Sequence, residues 1–203
     1  MERLRLHNGS LAYQSTGDGF PLVLLPGPEG MADWLSHTPL LSELCQVIAY
    51  EGCGPRSAIH FLPDVLEALR LERIYLASPF PEWLPTLEFA CLHPQLLEAV
   101  LLVEFPDSKA SLSLPDSALS LRLADVTLPT LFLLADDNGP ARTAAERLSV
   151  QLPSCQTIAL GRIAQGQSDL PSTPRRQFPH LMMRFLLDRE RHRNLVRGAS
   201  FLL

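Results

Sequence analysis

The sequence has no long apolar run, and its cysteines form no recognisable pattern. No stretch of apolar residues approaches the ~18 needed for a membrane-spanning helix. The first residues, MERLRLH, contain no apolar core of a signal peptide. The four cysteines stand far apart without C-x-x-C spacing, which argues against a disulfide framework and a zinc site. We therefore expect a cytoplasmic protein with reduced thiols, no membrane contact and no bound metal.

The sequence also lacks an excess of basic residues and the common nucleotide motifs. Its formal net charge is -5 and its pI is near 5.7, so no basic surface for nucleic acid is indicated. It contains no H-E-x-x-H, no P-loop, and no G-x-G-x-x-G after an apolar strand. We therefore expect no cofactor and no nucleic-acid partner.

What the sequence does contain is enough apolar material for one folded domain. Of its 203 residues, 46% are hydrophobic and 19% are charged, which is typical of a globular core. Short apolar runs alternate with segments of helical periodicity along most of the chain. This alternation predicts an α/β fold of three layers, with a doubly wound, mostly parallel sheet covered by helices on both faces.

Individual elements follow from periodicity and turn chemistry. An antiparallel hairpin is expected at the amino terminus, because Asn8-Gly9 is a strong two-residue turn signal between two strand-like segments. Further strands are predicted at residues 21–25, 46–50, 73–77, 97–103, 128–135 and 156–160. Helices are predicted at residues 34–44, around residue 63, and at residues 88–92, 142–152 and 174–193.

Several local motifs, taken in order, resemble the α/β-hydrolase superfamily. Residues 11–27 (LAYQSTGDGFPLVLLPG) are similar to the family's opening strand, glycine turn and second apolar strand. Residues 52–57 (GCGPRS) resemble its glycine-rich loop, and His93-Pro94 resembles the exit of a later helix. The likeness covers roughly residues 10 to 190. It implies a single hydrolase-like domain over residues 1–203, a reduced cap region at 105–127 and a carboxyl-terminal tail at 195–203.

The resemblance places Phe80 where the family carries its nucleophilic serine. Residues 76–83 (LASPFPEW) align without gaps on the family's nucleophile turn, and Ser78 and Glu82 replace the two flanking glycines. A nucleophile turn requires a strained backbone with positive φ. Phe80 precedes Pro81, which favours an extended conformation instead. We therefore expect a remodelled turn without a nucleophile.

The other catalytic positions that the resemblance implies are also lost. The two backbone donors of the oxyanion hole would fall on Pro28 and Pro81, and proline has no N–H. Ile163 stands at the position of the histidine base, and no histidine occurs between His93 and His180. Only the acid survives, as Asp137 or its neighbour Asp136. The sequence thus predicts a degenerate member with no catalytic residue.

Three classes of function remain open. The first is an interaction or scaffold protein, with a protein partner or a homodimer formed through the apolar tail. The second is a binder of a small apolar ligand, in a pocket near Trp34, Ser78, Phe80 and Trp83. The alternative is an esterase- or thioesterase-type hydrolase, or a lyase, with a relocated site that uses Ser78 together with Glu82 or Asp137.

Overall fold

The architecture is described by a computed structural model. It covers residues 2–6, 9–27, 29–51, 57–80, 82–105, 120–135, 139–160 and 174–200. Within these ranges, no helix is long and apolar enough to cross a membrane. The three cysteines that fall in these ranges, Cys45, Cys91 and Cys155, form no disulfide.

In the described residues eight strands form one sheet, with the spatial order β1-β2-β4-β3-β5-β6-β7-β8. The first two strands form an antiparallel hairpin, β2 pairs antiparallel with β4, and every later pairing is parallel. The predicted doubly wound sheet and its amino-terminal hairpin are confirmed. The strands are β1 (Glu2–Leu6), β2 (Gly9–Thr16), β3 (Phe20–Leu24), β4 (Cys45–Tyr50), β5 (Ile74–Pro79), β6 (Leu97–Val103), β7 (Thr130–Leu134) and β8 (Cys155–Ala159).

The described residues contain six α-helices, five of which lie between strands. Several of them, including α1, α2 and α5, carry a proline in the first turn, where the missing N–H would have had no helical partner. Short 3-10 turns occur at Met31–Trp34, Ala58–Phe61 and Pro94–Leu96. The helices are α1 (Thr38–Leu41), α2 (Leu62–Leu69), α3 (Trp83–Leu92), α4 (Ser120–Leu123), α5 (Pro140–Ser149) and α6 (Pro174–Ser200).

The apolar core has two layers, one on each face of the sheet. Alternate residues of each buried strand point to opposite faces, so Leu76 belongs to one layer while Tyr75 and Ala77 belong to the other. The first layer contains apolar residues of α2, α3 and α5. The second contains Leu41 of α1 and Phe178 of α6. Burial on both faces explains why the central strands are continuous apolar runs.

Helix boundaries differ from the sequence-based expectations at three places. The helix predicted at residues 34–44 is a 3-10 turn followed by the four-residue α1, with Pro39 in its first turn. Helix α3 begins at Trp83 rather than residue 88, because Pro85 lies among the first N–H positions, which need no helical partner. Helix α6 continues through Pro179 and reaches Ser200, so residues 195–200 of the predicted tail are helical.

Candidate functional site

The carboxyl ends of the parallel strands meet at one edge of the sheet, which is where open α/β sheets bind ligands. Three segments at this edge are described: the loop after β3, the turn after β5, and the ends of β6 and β7. Their side chains and amides determine what chemistry this edge supports.

The chain after β5 does not form a strained turn at Phe80. The Phe80 N–H donates to the Val103 carbonyl at 2.8 Å, which continues the pairing of β5 with β6. Arg70 is the one non-glycine residue with positive φ in the described part of the chain, so Phe80 lies outside the left-handed region. A nucleophile would need that strained geometry to project above the sheet. The backbone at Phe80 does not provide it.

The Phe80 ring fills space inside the first core layer. It is 1% exposed and packs edge-on against Trp83, with ring centroids 5.1 Å apart. Trp83 in turn packs against Phe132 of β7 at 5.3 Å. Such edge-to-face pairs contribute about 0.5–1.5 kcal/mol beyond the area that they bury. The position implied for a nucleophile is therefore occupied by part of the hydrophobic core.

Ser78 is also enclosed. It lies on β5, is fully buried, and its Oγ is 2.8 Å from Thr86 Oγ1 of α3. Thr86 Oγ1 is in addition 2.8 Å from the Glu82 carbonyl oxygen. The Ser78 hydroxyl thus connects strand to helix and is not exposed to solvent.

Glu82 contacts a different serine from the one considered in the sequence analysis. Its carboxylate accepts a short hydrogen bond from the Ser57 hydroxyl, which precedes the 3-10 turn before α2. Glu82 immediately precedes α3, so this bond ties the start of α3 to the segment that leads into α2. The side chain that replaces the second family glycine is used for this contact.

The loop after β3, residues 26–30, has no amide left to donate to a ligand. The N–H of Gly27 donates to the Gly30 carbonyl at 3.1 Å, and that of Gly30 donates to the Gly27 carbonyl at 2.9 Å. The Glu29 N–H donates to Asp33 Oδ2 at 3.0 Å. The remaining two residues of the loop are prolines, which have no N–H. Every backbone N–H that the loop possesses is therefore hydrogen-bonded, two within the loop and one to the Asp33 side chain just beyond it.

Asp33 adds a negative charge beside the same loop. Asp33 is almost fully buried, and a Cβ placed on Gly27 would collide with its Oδ2, so any larger residue there would require the Asp33 side chain to move. A site that stabilises a developing oxyanion presents donors and positive potential. A carboxylate next to this loop has the opposite effect.

Glu104 is a second buried acid at this edge. It follows β6, is 7% exposed, and its Oε2 accepts a hydrogen bond from the Ala135 N–H at the end of β7, at 3.0 Å. Its Oε1 would lie 3.3 Å from a Cβ on Gly139. The carboxylate thereby holds the ends of β6 and β7 together.

One histidine, His37, lies in the second core layer near this edge. Its Nδ1 is 3.1 Å from the Oγ of the adjacent Ser36, a serine–histidine contact that the sequence analysis did not anticipate. The ring is fully buried and packs edge-on against Trp34 at 5.6 Å and Phe105 at 5.5 Å. An imidazole enclosed by aromatic rings cannot reach a substrate carbonyl, so we interpret His37 as a core residue.

The sequence-predicted site residues fall into two groups. The structure brings Ser78, Phe80 and Trp83 together in the first core layer. Trp34 lies in the second layer, on the other face of the sheet, where its Nε1 donates to the Leu25 carbonyl at 2.6 Å. The remaining positions lie outside the described residues: Pro28, Pro81, Asp136, Asp137 and Ile163.

Sequence reasoning missed the two buried acids and the Ser36–His37 contact. Asp33 and Glu104 stand in stretches where an acid is ordinarily a surface residue, and neither belongs to a motif. A weak signal existed for Glu104, since it directly follows an uninterrupted apolar strand and so lies at the carboxyl edge of the sheet. In the described part of the chain, no group of three or more acidic, histidine or cysteine side chains is arranged to hold a metal ion.

Comparison with known proteins identifies the fold. No family model and no curated protein matches the chain by sequence, but solved structures match it closely in three dimensions. The chain has the α/β-hydrolase fold.

Three solved structures illustrate the likeness. An α/β hydrolase from Sphaerobacter thermophilus aligns with a TM-score of 0.68 at 14% identity, over 91% of this chain and 100% of that one. Naproxen esterase from Bacillus subtilis gives 0.70 at 14%, over 91% and 90%. A carboxylesterase structure from the thaumarchaeon Nitrososphaera gargenis gives 0.71 at 15%, over 94% and 100%. At these identities the likeness shows the fold alone.

Proposed function

We propose that this protein is a catalytically inactive member of the α/β-hydrolase fold that acts as an interaction or scaffold protein. The observation that carries the proposal is the loop of residues 26–30, in which every available amide is already hydrogen-bonded, either inside the loop or to the neighbouring Asp33 carboxylate. Hydrolysis of an ester through a tetrahedral intermediate needs free donors aimed at the developing oxyanion. Loss of one such donor typically lowers kcat ~10²–10³-fold.

The buried Phe80 supports the same conclusion. A phenyl ring cannot act as a nucleophile, and this ring is packed against Trp83 rather than turned toward the edge of the sheet. With nucleophile and histidine both replaced, the expected loss in kcat is on the order of 10⁶, and the losses do not add independently. No single substitution would recover turnover.

Binding of a small apolar ligand is the second candidate, and one observation favours it. The Trp83 Nε1–H is buried and has no hydrogen-bond partner among the described residues. An unpaired buried donor costs about 1–3 kcal/mol, and an acceptor atom on a ligand would remove that cost. The near-complete burial of Phe80 and Trp83 weighs against it, because a ligand would have to displace one of these rings.

A hydrolase that uses Ser78 is the alternative that the structural neighbours keep open, since they include proteins named as esterases. Two contacts count against it here. The Ser78 hydroxyl is fully buried against Thr86. Glu82, its suggested partner, is bonded to Ser57. A lyase at the same position would meet the same obstacles.

The proposal is tested by incubating the purified protein with short-chain p-nitrophenyl esters and thioesters. We expect release of product at the rate of buffer alone, and the same rate for the Ser78→Ala variant. A rate above buffer that disappears in Ser78→Ala would establish the hydrolase alternative. A rate above buffer that persists in that variant would equally contradict the proposal and would point to another nucleophile.

A further inference from the structure

The two edge strands of the sheet differ in how they are protected against pairing with another strand. The first, β1, carries Glu2, Arg3 and Arg5 among its five residues. The last, β8, has the sequence CQTIA, with no charged residue and no proline. Charged side chains and prolines are the usual means by which edge strands avoid association. Among the described residues, no strand pairs with β8 on its outer side.

The hydrogen bonds between β7 and β8 show which backbone groups of β8 point outward. The Thr130 N–H donates to the Ser154 carbonyl at 2.9 Å, and the Leu160 N–H donates to the Leu134 carbonyl at 3.0 Å. Successive residues of a strand direct their backbone groups to opposite sides. Even-numbered residues of β8 therefore face β7, and the N–H and C=O groups of Cys155, Thr157 and Ala159 face outward.

We propose that the outer edge of β8 is a homodimer interface, on which β8 of a second copy pairs antiparallel about a two-fold axis at Thr157. In this register Thr157 lies opposite the same residue of the second copy, and Cys155 lies opposite Ala159. All three are outward-facing residues, so each opposed pair exchanges both of its hydrogen bonds, roughly six in all. The strand is thus complementary to itself.

The absence of charged residues from β8 favours a second copy of this chain as the partner. On the two-fold axis Thr157 meets itself, and every other residue meets the one equally far beyond the axis, so a strand rich in one charge would place like charges opposite each other. This strand has no charged residue, whereas β1 would bring arginine against arginine if it paired with itself. The proposal does not depend on whether the protein catalyses a reaction.

The test is the mass of the protein in solution, measured by light scattering after size-exclusion chromatography. We expect a dimer for the wild type and a monomer for Thr157→Pro, with unchanged far-ultraviolet circular dichroism. Proline removes an N–H that faces away from β7, so the fold should survive. The matched control is Thr157→Val, which keeps the N–H and should remain dimeric.

Amide hydrogen exchange of the wild type provides a second measurement that needs no variant. The amides of Cys155, Thr157 and Ala159 should become more than 10-fold less protected on dilution below the dimer dissociation constant, a change of about 1.4 kcal/mol in opening free energy. A monomeric wild type would overturn the proposal, as would a dimer that survives Thr157→Pro. Loss of the dimer on truncation after Asn194, with Thr157→Pro still dimeric, would place the interface at the end of α6 instead. If the protein is a monomer and the protection of these three amides does not change with concentration, residues 161–173 of the same chain would be the candidate for covering the edge of β8. That result would also refute the proposal.

Discussion

At the scale of single residues, the described part of this edge is built from contacts that stabilise the fold. Phe80 packs its ring against Trp83. Asp33 uses its carboxylate to hold the Glu29 amide, and Glu104 does the same for the Ala135 amide. Each of these groups would have to be free, or of different charge, to serve an acyl-transfer reaction.

A serine installed at position 80 should not create an esterase. Phe80→Ser removes the ring but leaves the backbone in line with β5 and the loop of residues 26–30 without a free amide. We expect no hydrolysis of p-nitrophenyl acetate above buffer. We also expect the free energy of unfolding to fall by about 3–5 kcal/mol, as for other large-to-small core changes.

The control for this variant is Phe80→Leu, which keeps most of the apolar volume and should cost about 1.5 kcal/mol or less. Both variants are compared by denaturant unfolding, and activity is assayed only where circular dichroism shows a folded protein. Turnover by folded Phe80→Ser, absent from Phe80→Leu, would contradict the conclusion that the edge cannot stabilise an oxyanion.

Residue-scale features were the least predictable from sequence. Phe80 could be located because the alignment over residues 76–83 has no gap. Its burial against Trp83 followed from neither periodicity nor motif. Asp33 resembles any acid near a helix start, and its contact with Glu29 depends on a turn conformation that the sequence does not specify. Such contacts arise from tertiary packing, which local patterns do not encode.

At the scale of elements, strands were predicted better than helices. A buried parallel strand is a continuous apolar run, so β6 is predicted at the bounds that the structure shows, Leu97–Val103. The helix predicted at residues 34–44 was too long, because its apolar spacing extends over the end of the 3-10 turn before α1 and over the turn at residues 42–44 after it. Helix α6 continues through Pro179, and Phe178 and Met182 beside it are buried in the second core layer.

Two strand tyrosines link elements through their hydroxyls. Tyr50 of β4 donates to the Ala58 carbonyl at 2.8 Å, and Tyr75 of β5 donates to Glu190 of α6 at 2.7 Å. Burial raises the pKa of both phenols above the ordinary 10.0, and the hydrogen bond to Glu190 raises that of Tyr75 further. Burial also raises the pKa of the Cys45 thiol to about 12.

These shifts predict loss of stability at alkaline pH. In each case the folded-state pKa lies above the unfolded one, so the stabilisation is complete below the unfolded value. It is lost as pH rises toward the folded value. The free energy of unfolding should therefore fall as pH rises above about 9 for Cys45 and about 10 for the tyrosines.

Absorbance at 295 nm, followed together with circular dichroism, measures this effect. Tyr50 and Tyr75 should ionise only as the protein unfolds, whereas all three tyrosines should titrate near their ordinary pKa in concentrated guanidinium chloride. The Tyr75→Phe variant is the control, because it should remove one of the two phenols that ionise only when the protein unfolds. If all three tyrosines ionised near pH 10 while the fold stayed intact, the conclusion that burial raises the pKa of Tyr50 and Tyr75 would be wrong.

At the scale of the whole molecule, the fold does not by itself determine which chemistry the protein supports. The strand order and the two-layer core match structures of esterases with TM-scores near 0.7, although no family model matches the sequence. The fold was predictable because the order of apolar runs and turns survives at low identity. The proposed loss of catalysis rests on aligned positions, of which Asp137, Ile163, Pro28 and Pro81 lie outside the described residues and remain predictions.

The most direct measurement of the central claim is intact-mass spectrometry after exposure to a fluorophosphonate, which forms a covalent adduct with an activated serine and releases fluoride. An active α/β-hydrolase treated in parallel should gain the mass of one adduct. This protein is predicted to keep its unmodified mass. A stoichiometric adduct on a serine such as Ser36 or Ser78, abolished by its substitution with alanine, would contradict the account.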